Sequence, residues 1–123
     1  MQLFNLLTLA GASFFAFSGV QGAGNGFSGT CKDIRMKVDS NTVLQASCRK
    51  VDGSYTTSTL DLNKCIVNRN GYLQIQANGN FGNSCYFCGY DNGNFRCSCT
   101  PGPIISSVWL DSCVGNNDGQ LFC

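Results

Sequence analysis

The chain has 123 residues, with eight Lys and Arg against seven acidic residues and a formal net charge of +1. Such a balance points to neither nucleic acid nor an anionic membrane as a partner. Histidine is absent and every acid is an aspartate, which removes Ser-His-Asp and Cys-His nucleophilic sites and the common zinc sites built with imidazole.

The chain begins with a mostly apolar run from Leu6 to Phe17, followed by small residues. Val20 and Gly22 suit the −3 and −1 positions of a cleavage site, so residues 1–22 are expected to be a secretory signal peptide, cut before Ala23. The run is shorter than the roughly 20 apolar residues a membrane span needs. Removing 22 of the 123 residues leaves 101, enough for one domain, 23–123. All nine cysteines lie in it. A secreted, extracellular chain so rich in cysteine is a disulfide-stapled domain from an oxidising compartment.

Strand follows strand from there. Ile34, Met36 and Val38 alternate with Arg35, Lys37 and Asp39, the period of a half-buried strand. Asp39-Ser40-Asn41 turns the chain, Val43 to Cys48 returns, and Asp52-Gly53 turns it again. Tyr55 to Leu60 is rich in Thr and Tyr, which suit a pleated surface. A short Leu-x-x-Cys-apolar segment, long enough for one helical turn, leads from Leu62 into Asn68-Arg69-Asn70-Gly71. That tetrapeptide predicts a tight hairpin, because Asn-Gly tolerates the positive φ of a type I′ turn.

The same unit then recurs. Leu62, Cys65, Asn68, Gly71 and Leu73 reappear as Leu110, Cys113, Asn116, Gly119 and Leu121, each 48 positions on. Phe27 and Cys31 reappear as Phe81 and Cys85 after 54, and Cys48 as Cys99 after 51. Two copies, about 27–75 and 81–123, fix the architecture, with Gln76–Asn80 as a polar linker. The second copy has a shorter first hairpin, turned by Asp91-Asn92-Gly93-Asn94, and a shorter loop after Cys99, Thr100-Pro101-Gly102-Pro103.

Few arrangements here carry chemistry. Asp61 is matched by Trp109 and Asp111 by Asn63, so the repeat yields no carboxylate pair of the kind a glycosidase needs. No catalytic residues are assigned, and the chain is not expected to be an enzyme. Cys85-x-x-Cys88 with Cys97-x-Cys99 has a knuckle-like spacing, but in a secreted chain disulfides outweigh zinc. No metal or cofactor is expected. Trp109, the single tryptophan, sits in a Val-Trp-Leu run that favours core packing.

Phe27-Ser28-Gly29-Thr30-Cys31, Cys48, Asp52-Gly53-Ser54-Tyr55-Thr56-Thr57-Ser58, Leu60-Asp61-Leu62-Asn63 and Asn70-Gly71-Tyr72-Leu73 together resemble the cyanovirin-N family. The second copy carries the likeness at Phe81, Cys85, Cys99, Leu110-Asp111, Asn116, Asp118-Gly119 and Leu121. The resemblance implies an all-β fold of two pseudo-symmetric halves, each a three-stranded sheet from one copy plus a hairpin exchanged from the other. It implies a lectin for mannose-rich oligosaccharides or glycoproteins, with α1,2-linked mannose the usual target. A second hypothesis is a cysteine-rich interaction protein that uses the scaffold to bind a protein partner and no sugar. Exchanged hairpins joined by a linker without proline suggest a monomer with a minor domain-swapped dimer.

Two sugar sites are implied by the resemblance. The first gathers Asn25, Gly26, Gly29 and Thr30, the loop with Arg49, Val51 and Asp52, and the turn with Asn116, Asn117 and Asp118. Arg49, Val51 and Asp52 depart from the family pattern, which has an acid and two small polar residues there. The second gathers Asn68, Asn70, Asn80, Asn83, Ser84 and Thr100, but its wall is three residues shorter and carries two prolines, which lack an N–H. The family pattern further implies bridges Cys31–Cys48 and Cys85–Cys99. Cys88 and Cys97 stand equally far from an Asn92-Gly93 turn and so face each other, which suits a third bridge. Cys85 and Cys99 are one residue out of that register, so the two bridges together require a bulge. Cys65 and Cys113 are equivalent by the repeat and are paired across the pseudo-two-fold axis, leaving Cys123 over.

Overall fold

A computed structural model describes residues 24–102 and 104–123. The expected signal peptide, residues 1–22, lies outside the described residues. Ten strands form two three-stranded antiparallel sheets and two hairpins. The first sheet contains β1 (Cys31–Met36), β2 (Val43–Arg49) and β3 (Tyr55–Asp61). The hairpin β4 (Ile66–Arg69) and β5 (Tyr72–Ile75) follows. The second sheet contains β6 (Cys85–Asp91), β7 (Asn94–Cys99) and β8 (Ile104–Trp109), and the hairpin β9 (Gly115–Asn117) and β10 (Gln120–Phe122) follows it. A 3-10 turn precedes each sheet and each hairpin, at Phe27–Gly29, Leu62–Lys64, Phe81–Asn83 and Leu110–Ser112.

Local chemistry sets the turns. Asn70-Gly71, Asn92-Gly93 and Asp118-Gly119 all take positive φ at both positions, with strands paired on either side of each two-residue turn. This is the type I′ geometry that Asn-Gly and Asp-Gly favour. The first hairpin differs from expectation. Its strand stops at Met36, and Val38 is 75% exposed rather than facing the core. Asp39 adopts φ +62°, and the Ser40 hydroxyl accepts the amides of Thr42 and Val43, so the turn starts earlier than the alternation suggests.

The hairpins are exchanged between copies. The Leu73 amide on β5 donates to the Ser106 hydroxyl on β8, and the Leu121 amide on β10 donates to Ser58 on β3, both at 2.9 Å. Ser58 and Ser106 are the two buried polar residues among those described, and each is satisfied by a strand from the other copy. The 3-10 turns cross over too. Asn63 Oδ1 accepts the Gly82 amide at 2.8 Å, and Asp111 Oδ1 accepts the Ser28 amide at 2.9 Å. Phe27, Phe81, Leu62 and Leu110 sit at most 1% exposed in one core cluster that runs through both halves. Phe81 meets Phe95 edge-on at 5.4 Å, a favoured aromatic arrangement.

Both sheets carry a bulge at the same place, between Lys32 and Arg35 and between Tyr86 and Gly89. The second bulge supplies the one-residue correction that lets Cys85–Cys99 and Cys88–Cys97 coexist, and both bridges are present, with Cys31–Cys48 in the first sheet. The knuckle-like cysteines are thus all disulfide-bonded. In the first sheet the positions equivalent to Cys88 and Cys97 are Ile34 and Ala46, which pack without a bond.

The expected Cys65–Cys113 bridge is not formed. Cys65 pairs with Cys123, and Cys113 is a free thiol, 1% exposed. Exchange, rather than symmetry, decides the pairing: Cys123 directly follows the β9–β10 hairpin and meets Cys65, which directly precedes the β4–β5 hairpin. By the 48-residue offset the counterpart of Cys123 is Ile75, so a symmetric second bridge has no sulfur to complete it. Burial pushes the Cys113 thiol up to about 11. Trp109 also departs from expectation. It is 49% exposed, and its ring lies over the β6–β7 turn, so close that a Cβ on Gly93 would fall 2.3 Å from it.

Candidate functional site

One end of the molecule is built on the β9–β10 turn. Gly119 takes φ +90°, and an added Cβ would come within 2.6 Å of Thr56 Cγ2 and 2.9 Å of Lys50 Cγ. Only glycine allows the turn to press this closely on the first sheet. Asn116, just before it, engages its whole amide. Its Oδ1 accepts the Gly119 amide at 2.8 Å, and its Nδ2 donates to Thr30 Oγ1 and to the Arg49 carbonyl, both at 2.9 Å. Asp118 Oδ1 accepts the Val51 amide at 2.9 Å. The turn is thereby tied to two segments of the other copy.

These ties enclose a cleft of about 430 Å³. Of the residues expected at the first site, Thr30, Arg49, Val51, Asn116 and Asp118 line it; Lys50 and Gly53 line it as well. Asn25, Gly26, Gly29, Asp52 and Asn117 do not. The Gly26 amide donates to the Asp111 carbonyl. The Asp52 carboxylate accepts the amide and hydroxyl of Ser54, which hold it below the usual carboxylate range. Lys50 lies inside the expected Arg49–Asp52 loop, and Gly53, which turns that loop, joins the lining from just beyond it.

The cleft has the groups that polyhydroxyl recognition needs. Thr30 Oγ1 accepts from Asn116 and keeps its proton to donate, and Asp118 has a second carboxylate oxygen beside the one on Val51. Arg49 and Lys50 add charged donors, while Val51, 91% exposed, supplies apolar surface.

The opposite end repeats the frame. Asn68 Oδ1 accepts the Gly71 amide, and Nδ2 donates to Ser84 Oγ at 2.7 Å and to the Thr100 carbonyl at 2.8 Å. Thr100 turns its amide and hydroxyl back to the Ser84 carbonyl. The structure brings Asn68, Ser84 and Thr100 together. Asn70 serves as the left-handed turn residue, Asn80 caps the Phe81–Asn83 turn in a left-handed conformation, and Asn83 is exposed. Beyond Thr100 the wall continues through Pro101, which lacks an amide N–H, and Gly102.

Exchanged hairpins, stapled sheets and a polar cleft at a hairpin turn define an all-β binding domain. Residues 27–122 match the CVNH domain family, and the chain belongs to that family, a family of lectins rather than enzymes. A cyanovirin-N homolog of Tuber borchii is 40% identical over 58 residues, 47% of this chain and 55% of that protein, so the match spans about half the relative's length. Microvirin, solved as a mannobiose complex, is 32% identical with a TM-score of 0.60, covering 80% of this chain and 97% of that one. A MoCVNH3 variant solved in complex with (N-GlcNAc)4 has a TM-score of 0.73 at 22% identity over 83% of this chain and 99% of its own, a likeness of fold.

Proposed function

We propose that the protein is a secreted lectin that holds mannose-rich glycans, with α1,2-linked mannose as the terminal unit, in the cleft between the Asn116–Gly119 turn and the Arg49–Gly53 loop. The observation that carries this is the cleft itself, lined by the Thr30 hydroxyl, the Asp118 carboxylate and two cations. The mannobiose complex of microvirin, 32% identical to this chain, supports mannose as the sugar. Four disulfides fit an oxidising, extracellular destination. The shortened, proline-bearing wall at the opposite end argues for one working site and a monomer that binds one glycan.

Calorimetry on the oxidised protein with α1,2-mannobiose is the direct test, with (GlcNAc)4 as a parallel titrant. Saturable binding of mannobiose at one site per chain is expected. Absence of heat with mannobiose and with larger mannose-terminated oligosaccharides would overturn the reading.

A further inference from the structure

The charge around the cleft is lopsided. Five of the eight cations, Lys32, Arg35, Lys37, Arg49 and Lys50, fall within residues 32–50. Two of them line the cleft, Arg49 and Lys50. The Lys50 stem lies against the turn that carries Asn116 and Asp118, since a Cβ on Gly119 would touch Lys50 Cγ. Lys32 is close by on the outer face of the same sheet. Its Nζ sits 4.2 Å from the Tyr55 ring centre, and Tyr55 is the cross-strand partner of Arg49.

Two acids lie beside these three cations: Asp118 lines the cleft with them, and Asp52 feels the charge of Lys50, which leaves the cations in excess by one. The salt bridge found among the described residues joins Arg96 to Asp91, in the other sheet. The nearest acids are engaged with backbone: Asp118 Oδ1 with the Val51 amide, Asp52 with the Ser54 amide and hydroxyl. The opposite end shows no such cluster. Its frame is Asn68, Ser84 and Thr100, and Arg69 beside it donates to Gln76. Cations in excess of the neighbouring acids favour an added anion, which also gains charge-assisted hydrogen bonds from them. A guanidinium beside an ammonium suits phosphate or carboxylate oxygens.

We propose that this cleft is selective for acidic mannose glycans, those bearing a phosphate or a uronate carboxylate, with Arg49 and Lys50 reading the anion and Lys32 strengthening the local field. The proposal rests on the mannose-lectin reading and gives it a substrate class. The sugar part lies against Thr30 and Asp118 while the anionic substituent meets the cations.

The test compares three titrants by calorimetry: a neutral α1,2-mannobiose, the same disaccharide carrying a 6-phosphate, and a mannose disaccharide carrying glucuronic acid. At low salt an acidic ligand is expected to bind at least tenfold more tightly than the neutral one, with the advantage shrinking as KCl is raised. The readout in the Arg49→Gln/Lys50→Gln double variant is the ratio of acidic to neutral affinity, which falls toward one; a purely structural role would lower both alike. A gain for either acidic ligand supports the proposal and identifies the anion. If neutral mannobiose binds and neither acidic ligand gains, the acidic preference is overturned while the mannose reading stands. If no mannose ligand binds, both fall.

Discussion

Asn116 Nδ2 lies 2.9 Å from Thr30 Oγ1, although 86 positions separate the two residues. The contact joins the second copy's hairpin to the first copy's opening turn, and the same amide also holds the Arg49 carbonyl and the Gly119 amide. Asn116 therefore shapes the cleft rather than offering a free amide to a ligand. Asn116→Ala breaks three hydrogen bonds at a half-buried position. Stability should fall by about 1–3 kcal/mol, and glycan affinity should fall with it. Urea denaturation and calorimetry on the same preparation measure both, and an unchanged midpoint would contradict the assigned hydrogen bonds.

Asp118→Ala removes the acceptor that holds the Val51 amide and one wall of the cleft. Exposed as it is, Asp118 contributes little to global stability, so the thermal midpoint should move by only a few degrees, on the order of 1 kcal/mol. Affinity should drop roughly tenfold, since one charge-assisted hydrogen bond is worth about 1.5 kcal/mol or more. A wild-type titration curve in this variant would exclude Asp118 from the site.

The Cys113 thiol is buried, and that burial raises it to about 11 from a usual value of 9.0. Iodoacetamide at pH 8 should leave the native protein unlabelled and add one equivalent in guanidinium, because the thiolate is the reactive form. The linkage has a definite sign. Above the unfolded value the unfolded chain loses this proton and the native chain keeps it, so the thiol's contribution to stability is complete below about pH 9 and is lost as pH rises toward about 11. Cys113→Ala should flatten that part of the pH–stability curve.

The Cys65–Cys123 bridge spans a sequence separation of 58. Replacing both cysteines by serine should cost about 4 kcal/mol on the chain-entropy estimate. The same bridge marks a domain-swapped dimer: if whole copies pass between chains at the Gln76–Asn80 linker, Cys65 of one chain bonds Cys123 of the other. The monomer should dominate on size-exclusion chromatography, with a minor dimer that survives denaturing gels and collapses to monomer on reduction. A dimer that dissociates without reductant would show a different association.

Much of this fold was legible because turn chemistry and repetition speak locally. Asn70-Gly71, Asn92-Gly93 and Asp118-Gly119 announce their hairpins, and the misregister of Cys85 with Cys99 announces the bulge beside them. The cleft was half legible: Thr30, Arg49, Val51, Asn116 and Asp118 meet as expected, with Lys50 from the same loop, whereas Asp52 turns to Ser54 and Gly53 joins the lining instead. What failed was reasoning that needs distances. Symmetry made Cys65 and Cys113 equivalent but could not place either sulfur relative to Cys123. A Val-Trp-Leu run suggested burial for Trp109, yet strand alternation puts its ring outside, on a glycine turn with room for it.

Exchange of hairpins also sets the order of events at the ribosome. The first sheet is made early, but Ser58 waits for the Leu121 amide, and Phe27 for the Val114 carbonyl with which its amide bonds. Neither exists until Val114 and Leu121 have been synthesised. The nascent first copy can close Cys31–Cys48 within itself, but its Cys65 has no partner until Cys123 is made. Cys65 in particular must remain reduced, or be rescued from a wrong bond, until Cys123 emerges. Production of this protein should accordingly depend on disulfide isomerisation more than on oxidation itself.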